Sequence, residues 1–221
     1  MISIIIPTYN EEKQIVKTLE NLNQIKREIP IEIILVDGSS NDNTVKLSKN
    51  LVDKIFISHK CRAIQQNIGA SISSGEIILF LHADTIIPKI ALKMLEKQQK
   101  NIKWGFYNIA FDVMQLKFYI LSSCINFRSK VFKYGTGDQC LFITKNLFNQ
   151  IGGFPNIDLM EDIAICQKLK KIFYPSILNH SVITSARKWE KEGYLKTILK
   201  MKLLRLLYKV GCNPSFLQKY Y

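Results

Sequence analysis

The chain has 221 residues, 47% of them hydrophobic and 10% aromatic, and it carries a formal net charge of +13 at pH 7. This length and apolar content predict a globular protein with a full core and exclude a disordered chain. The five cysteines form no CxxC pair, which favours reduced thiols in a cytosolic protein over a disulfide framework or a zinc site. We expect no signal peptide. The sequence has no run of about 20 apolar residues, so we expect no membrane-spanning helix.

Predicted strands and helices alternate through the first hundred residues. Short apolar runs between turn formers predict strands at 2–6, 31–36, 54–57 and 77–81. Apolar residues at helical spacing predict helices at about 15–22, 44–51 and 62–73. We expect Pro7 to stop the first strand, and Thr8 or Asn10 to cap the helix behind it, with Glu11 at capping-box spacing. This order predicts an α/β fold with a mostly parallel sheet.

The second half of the chain has a less regular order of predicted elements. They are a helix at 89–99 opened by Pro88, a strand at 104–113, a helix at 118–132, a strand at 140–144 and a helix at 161–171. No element is predicted between residues 172 and 193. A last helix is predicted at 194–210.

The positive charge is concentrated near the end of the chain, where residues 187–221 contain nine Lys or Arg and two Glu. On the last helix, one arc carries Leu195, Leu199, Leu203, Leu206, Leu207 and Val210, with Lys202, Arg205 and Lys209 beside it. This pattern is typical of an amphipathic helix at an anionic membrane surface. A helix that packs on its own domain explains it equally well.

The predicted strand at 77–81 leads directly into His82 and Asp84. Open α/β sheets bind their ligands at the carboxyl ends of strands. An imidazole and a carboxylate at such an edge are suited to a cation or to the phosphates of a nucleotide. Considered alone, the segment fits a plain strand exit with a solvated Asp84 as well.

Several familiar motifs are absent. The glycines Gly135 and Gly137 precede a predicted strand and lack the third glycine of a dinucleotide fingerprint, and there is no phosphate-binding P-loop. The acidic run at 37–43 has its glycine in the second position, where a calcium loop needs it in the sixth. The basic charge lacks any recognised nucleic-acid motif, so we expect no nucleic-acid partner.

Four polar clusters follow one another in a characteristic order. They are PTYNEE at 7–12, VDGSSNDNT at 36–44, HADT at 82–85 and ED at 161–162. Together with NFRSK at 126–130, GDQ at 137–139, GGFP at 152–155 and TSARKW at 184–189, they resemble family 2 glycosyltransferases of the GT-A fold. The resemblance covers nearly the whole chain, and HAD stands where most of the family has DxD. It implies a Rossmann-like, mostly parallel central sheet flanked by helices, followed here by the amphipathic helix.

The resemblance implies a nucleotide site. Its residues are Pro7, Thr8, Tyr9, Glu11, Asp37, Arg62 and Asn67. Tyr9 is expected to stack on the base, Asp37 to accept the N3–H of a uracil, and Glu11 to bind ribose hydroxyls. A helix cap for Glu11, a turn former for Asp37 and a solvated helix face for Arg62 and Asn67 remain open as structural alternatives.

The same resemblance implies a divalent metal, Mg²⁺ or Mn²⁺, held by Asp84 and bridging the diphosphate. His82 replaces the first acid of the usual motif. A neutral imidazole can address either the metal or the ribose, so its role stays open. A hydrogen-bonded histidine at the strand end is the structural alternative.

Transfer with inversion needs a carboxylate that deprotonates the acceptor hydroxyl. The resemblance implies Asp162 for this role, with Glu161 beside it, although both could simply cap a helix. It places Gly137, Asp138 and Gln139 on the floor of the sugar and acceptor pocket. Arg187 and Trp189 are expected to close over the diphosphate.

The sequence therefore predicts an inverting glycosyltransferase that uses a nucleotide sugar, with UDP as the favoured nucleotide. The predicted division is a catalytic domain at 1–193, with a nucleotide-binding half (1–100) and an acceptor half (101–193), and a basic tail at 194–221. The acceptor is unknown, and a lipid-linked one would suit a cytoplasmic protein at the inner face of the plasma membrane. A nucleotidyltransferase and a non-catalytic binding module remain alternatives.

Overall fold

The structure, a computed structural model, describes residues 1–221. A single eight-stranded sheet with the order β3-β2-β1-β4-β7-β6-β8-β5 runs through the molecule. Its strands are β1 (Ile2–Thr8), β2 (Ile31–Asp37), β3 (Lys54–Ile57), β4 (Ile77–Phe80), β5 (Thr85–Ile86), β6 (Trp104–Phe111), β7 (Phe142–Thr144) and β8 (Ser176–Thr184). The helices are α1 (Ile15–Lys26), α2 (Thr44–Ser48), α3 (Arg62–Ile72), α4 (Lys89–Gln98), α5 (Leu116–Phe132), α6 (Lys145–Gln150), α7 (Glu161–Leu169), α8 (Arg187–Glu192), α9 (Tyr194–Lys209) and α10 (Pro214–Gln218). None of these helices combines the length and the apolar character that crossing a bilayer requires.

The predicted parallel half of the sheet is confirmed. Strand β1 pairs in parallel with β2 on one side and β4 on the other, and β2 pairs in parallel with β3. Alternate β1 side chains enter opposite layers: Ile4 joins the core under α1 and α4, and Ile5 joins the core under α3, α6 and α7. Because both faces are covered, the strands read as continuous apolar runs.

The predicted stop at Pro7 is wrong, because β1 continues through Pro7 to Thr8. The carbonyl of Ile5 accepts from Leu81, so Ile5 and, two residues later, Pro7 face the β4 side. The pairing with β4 ends at Ile5, so no neighbouring strand needs the N–H that proline lacks. The predicted cap is also wrong: α1 begins at Ile15 without a side-chain cap.

The second half of the sheet is mixed. Strand β7 runs antiparallel to both β4 and β6, whereas β8 lies parallel to β6. Strand β8 is not predicted from the sequence, because two of its residues, Asn179 and His180, fall in an irregularity of the β6–β8 register. Such a bulge breaks the two-residue alternation by which a strand is recognised. The short elements β5, α6, α8 and α10 were missed as well.

Helices α5 and α9 lie side by side and run in the same direction. At their beginnings, the hydroxyl of Tyr194 donates to the carbonyl of Lys117 at 2.7 Å. At their ends, the ammonium of Lys209 lies 5.7 Å from the ring centre of Phe132. Helix α9 packs on the domain through Leu204, which joins a small cluster with α7 and α10. Both helices therefore belong to one wall of the molecule.

The leucine arc predicted on α9 faces outward except at Leu207, which packs against the cluster around Leu204. Leu195, Leu199 and Leu203 are 71%, 67% and 56% exposed, and Leu206 and Val210 are also exposed. The two interpretations of this helix are thus compatible, since α9 packs through one face and presents the arc on the other. The predicted domain boundary at 193/194 remains a prediction.

Glu32 lies near the amino end of β2, and its hydrogen bonds make it a suitable residue for testing the stability of the fold. Its carboxylate accepts from the hydroxyl of Ser3 at 2.5 Å and the amide of Ser74 at 2.8 Å, and Lys54 lies at 2.7 Å. Burial raises the pKa of Glu32, but these donors outweigh it and bring the pKa to about 2. The folded state therefore gains stability above the usual pKa near 4.5, and loses it as the pH falls toward about 2.

We expect Glu32→Gln to lower the free energy of unfolding by about 1–3 kcal/mol at pH 7. The difference from the parent chain should shrink as the pH falls from 4.5 toward 2, because both chains are then neutral at this position. Urea unfolding at pH 7, 4 and 3 measures this. The exposed Glu20→Gln on α1 is the matched control, and a difference that does not change with pH would contradict the prediction.

Candidate functional site

The turns that follow β1 and β2 brace each other. Thr8 and Asp37 are paired in the sheet register, and the Thr8 hydroxyl donates to the Asp37 carboxylate at 2.9 Å. The same carboxylate accepts from the amide of Ser40 at 2.7 Å and from its hydroxyl at 2.6 Å. Asp37 is fully buried, and in this structure its carboxylate holds the turn in place. Asn10, with φ of 55°, bonds to the β2 turn through both its amide and its side chain.

A residue that sequence reasoning missed joins these two turns. The side-chain amide of Gln65 donates to the carbonyls of Thr8 and Val36, at 2.8 Å each. Gln65 is 4% exposed and lies on α3, one turn after Arg62. A glutamine on a helix carries no distinctive signal in a sequence, so only the fold identifies this role.

Asp84 lies in the tight turn between β4 and β5. Burial raises the pKa of Asp84, and the nearby carboxylate of Asp138 adds to this, whereas His82 and Arg187 act against it. The pKa of Glu11 is also raised by burial, with Arg187 opposing. The two carboxylates therefore lie in a region where an added cation would be favourable.

His82 is held by the segment that contains the GDQ motif. Its Nδ1 lies 3.1 Å from an oxygen of Asp138. Its Nε2 is buried without a hydrogen-bond partner, against Gly137. A Cβ added to Gly137 would lie only 2.4 Å from that Nε2, so any larger residue here would force the His82 ring to move.

Asp138 is a strong hydrogen-bond acceptor and a weak base. Burial raises its pKa, but the hydrogen bond from His82 and the charges of His82, Arg62 and Arg205 outweigh this and bring it to about 2. A carboxylate with so low a pKa is poorly matched to proton abstraction near neutral pH.

Asp162 and Glu161 begin α7. One Asp162 oxygen accepts from the amide of Gly137 at 2.9 Å, and the other accepts from the amide of Ile163 at 2.7 Å. Glu161 is 2% exposed and pairs with Arg62 at 3.3 Å. Burial raises the pKa of Glu161, Arg62 opposes this, and Asp162 adds to it.

Arg187 connects two of the strand ends. Its guanidinium donates to Glu11 at 3.1 Å and lies 4.0 Å from Asp84. Trp189, on the same helix, packs edge-on against Phe111 with ring centres 6.1 Å apart. Helix α8 thus covers the edge of the sheet at which the β1 and β4 turns meet.

The turns after β1 and β4, the start of α3, the GDQ segment and α8 border one cavity of about 1060 Å³. Ten of the predicted site residues line it: Pro7, Thr8, Tyr9, Glu11, Arg62, His82, Asp84, Asp138, Arg187 and Trp189. Eight Lys or Arg side chains and four Asp or Glu side chains line the cavity, so its wall is positively charged overall. Above the ring of Tyr9, the ammonium of Lys60 lies 3.9 Å from the ring centre, where a base was expected to stack.

Six predicted residues lie outside the cavity lining: Asp37, Asn67, Gly137, Gln139, Glu161 and Asp162. The side chain of Asn67 exchanges two hydrogen bonds of 2.9 Å with the backbone of Phe154, which gives it a structural role in place of the predicted nucleotide contact. Gln139 is fully buried and bonds to Ser129 and to the carbonyl of Tyr107. It therefore supports the floor of the pocket from beneath.

No three His, Cys, Asp or Glu side chains converge on one point in this structure. Asp84 and His82 therefore do not form a metal site made of protein ligands alone. Mg²⁺ and Mn²⁺ do not require one at a nucleotide, because one or two carboxylates together with substrate phosphates suffice. The carboxylates of Glu11 and Asp84 fit this way of holding a metal, in which the donor phosphates supply further ligands.

Comparison with known proteins agrees with the motif order. Residues 3–143 match the sequence model described as "Glycosyl transferase family 2". Glycosyltransferase GlyG of Streptococcus pneumoniae serotype 4 is 27% identical over 179 residues, which is 68% of this chain and 59% of GlyG.

Two solved structures have the same fold. TarS 1-349 of S. aureus in complex with UDP-GlcNAc superposes with a TM-score of 0.64 at 21% identity, over 83% of this chain and 58% of that one. The mannosyltransferase PcManGT of Pyrobaculum calidifontis, in complex with GDP-Man and Mn²⁺, has a TM-score of 0.62 at 18% identity, over 83% and 56%. The GT-A architecture predicted above is thereby confirmed. The chain spans less than two thirds of the length of each of these three proteins.

Proposed function

The chain belongs to glycosyl transferase family 2, and we propose that it transfers a sugar from a nucleotide-sugar donor, UDP-linked by preference, to an acceptor hydroxyl with inversion. The observation that carries the proposal is the meeting of the β1 turn, the β4 end, the GDQ segment and α8 around one cavity. The complexes of TarS with UDP-GlcNAc and of PcManGT with GDP-Man support it by analogy of fold.

The donor would lie along the ends of β1, β2 and β4. Thr8, Tyr9 and Glu11 form the wall at the nucleoside end, while Asp37 and Gln65 hold the turns in place. Binding a base against Tyr9 requires Lys60 to move from above the ring, which a flexible lysine side chain permits. Lys60 would then be free to approach a phosphate.

Asp84, with Glu11 beside it, would hold Mg²⁺ or Mn²⁺ together with the donor diphosphate. The metal, when bound, would neutralise charge that develops on the leaving nucleoside diphosphate. Arg187 already lies between these two carboxylates and would turn its donors toward the phosphates. We assign His82 to the positioning of Asp138 and the pocket floor, because its Nδ1 faces Asp138 and its Nε2 faces Gly137.

Asp162 is proposed as the general base and Glu161 as its neighbour. Each Asp162 oxygen accepts one backbone N–H and retains a lone pair for the acceptor hydroxyl. Asp138, which lines the cavity, is the rival candidate, but its pKa of about 2 makes it a weak base near neutral pH.

A product assay tests the proposal and separates its alternatives. The chain is incubated with UDP-, GDP- and dTDP-sugars and Mn²⁺, and released nucleotides are identified by chromatography. A nucleoside diphosphate supports glycosyl transfer, and pyrophosphate indicates a nucleotidyltransferase instead. Donor binding without any product, across a panel of hydroxylated acceptors, indicates a binding module.

We also propose that the chain contacts an anionic membrane through α5 and α9, at the predicted cytoplasmic face. Beside the outward leucine arc of α9, helix α5 exposes Leu116, Tyr119, Ile120, Phe127, Val131 and Phe132. Exposed lysines at 117, 130, 202 and 209 flank these apolar residues, which matches apolar insertion combined with attraction to anionic headgroups. A lipid-linked acceptor would then reach the cavity from that face.

Replacing Leu195, Leu199 and Leu203 together by Gln should lower binding to vesicles of phosphatidylglycerol and phosphatidylcholine by at least about ten-fold, because each exposed leucine loses its buried apolar area in the bilayer. Co-sedimentation measures the bound fraction. The exposed Leu47→Gln on α2 is the control and should bind like the parent chain. Equal binding by the triple variant would exclude this surface.

A further inference from the structure

Six of the eight Lys or Arg side chains of the cavity wall have no partner of opposite charge, and three of these six lie on the helices α5 and α9. Arg128 lies on α5, and Lys202 and Arg205 lie on α9. None of the nine ion pairs in the chain involves them. The other two arginines of the wall, Arg62 and Arg187, are each paired with a carboxylate.

The guanidinium of Arg128 is held in place and incompletely satisfied. One face lies over the ring of Tyr134, with 5.1 Å from Cζ to the ring centre, and Nη2 donates to the hydroxyl of Ser129 at 3.2 Å. Its Nε is shielded from solvent and has no hydrogen-bond partner. An unsatisfied, shielded N–H on a fixed fork of donors is a feature that a bound anion would explain.

Arg205 places a second positive charge beside the first. Burial lowers the pKa of Arg128 to about 10, and the charge of Arg205 is the next cause. Bringing two cations together in a partly buried wall is unfavourable unless an anion joins them. Phosphate oxygens suit two such forks, because a guanidinium binds them in a bidentate manner.

The place of this pair in the cavity points to the acceptor. Arg128 stacks on Tyr134, and Tyr134 packs on the cluster that contains Met160, Ile163 and Leu204. Met160 and Ile163 lie close to the proposed base in the chain, and Leu204 precedes Arg205. The arginine beside Asp84 is Arg187, at 4.0 Å, so the pair Arg128 and Arg205 lies on the side of the proposed base. We infer that Arg128 and Arg205, with Lys202 at the rim, bind a phosphate group of the acceptor close to the hydroxyl that receives the sugar.

The assignment of this phosphate to the acceptor rests on the proposed function. The existence of an anion site at Arg128 and Arg205 does not depend on that function. A phosphate at this position could belong to a phosphorylated alcohol, to a lipid headgroup or to free inorganic phosphate. The shared chemistry is a phosphate oxyanion. The test therefore begins with inorganic phosphate and glycerol 3-phosphate.

Calorimetric titration of the full chain with each probe is performed in the presence of saturating UDP and Mn²⁺. We expect both probes to bind while UDP is present, and Arg128→Gln and Arg205→Gln each to weaken binding by about ten-fold or more. Lys46→Gln, which removes an exposed lysine on α2, is the control and should bind like the parent chain. Because Arg205 is only half-buried, the Arg205→Gln variant keeps the test valid if the Arg128→Gln variant does not fold.

Phosphate that competes with UDP would assign the arginines to the donor and overturn the inference. Affinities unchanged in both arginine variants, or no binding of either probe, would overturn it as well. Failure of UDP itself to bind would count against the proposed function, and titration without UDP would then still test the two arginines. Anionic vesicles are tested as well. If they bind equally to the parent chain and to both arginine variants, the two arginines do not bind lipid headgroups, and the ligand of this site is a small phosphate compound.

Discussion

Asp84→Asn should reduce sugar transfer by about 100- to 1000-fold, because the proposed metal and the donor diphosphate lose their main carboxylate ligand. Release of nucleoside diphosphate from the preferred donor measures the rate. The thermal stabilisation that UDP and Mn²⁺ produce together should also disappear. Glu20→Gln, an exposed carboxylate on α1, is the control and should retain both properties.

The same variant should be at least as stable as the parent chain when no ligand is present. Burial raises the pKa of Asp84, so its charge costs free energy in the folded state at pH 7, and the neutral amide removes that cost. An inactive variant with an unchanged or higher melting temperature would separate loss of function from misfolding. A fully active variant would exclude Asp84 from the metal and diphosphate site.

Asp162→Asn should lower transfer by about 100- to 10,000-fold while nucleotide binding persists, because the general base acts on the acceptor and not on the donor. The amide oxygen of Asn can still accept the N–H of Gly137, but its NH2 group cannot accept from Ile163, so the melting temperature without ligand is measured as well to detect any local unfolding. The turnover rate, together with the thermal shift caused by UDP and Mn²⁺, measures the two properties separately.

Asp138→Asn is compared with Asp162→Asn to identify the base. We expect the rate of sugar transfer by Asp138→Asn to stay within about ten-fold of the rate of the parent chain. With a pKa of about 2, Asp138 is already deprotonated from pH 5 to 9, so it cannot cause a change of rate with pH in that range. Loss of activity in Asp138→Asn together with an active Asp162→Asn would reassign the base to Asp138.

The proposed roles divide the cavity into two ends. Turns braced by Asp37 and Gln65 form the donor end, and the pair Arg128 and Arg205 lies at the acceptor end. The base candidate Asp162 accepts the N–H of Gly137, which holds it beside the GDQ segment. The exposed faces of α5 and α9 border the acceptor end, which would suit an acceptor with a phosphate and an apolar chain.

Local features of the sequence determined the parallel half of the fold. Runs such as 77–81 are apolar throughout because both faces of the sheet are covered, and α1 repeats its apolar residues at helical spacing because only one face is buried. The order of the motifs at 7–12, 36–44 and 82–85 likewise predicted which residues meet, since the ends of adjacent parallel strands meet at one edge of the sheet.

Long-range contacts decided the rest. Strand β8 carries a bulge opposite β6 and so has no clean alternation, and Pro7 continues β1 only because β4 has already ended beside it. Asn67 and Gln139 have site-like sequence positions, but their amides are used by backbone groups distant in the chain. The pairing of His82 with Asp138 depends in the same way on segments that fold together from different parts of the chain. So does the lack of a hydrogen-bond partner for the Nε of Arg128. The sequence by itself determined which residue types meet at the sheet edge, and the tertiary structure decided which of them remain free to bind a ligand, because a side chain's hydrogen-bonding capacity is shared with whatever the fold brings beside it.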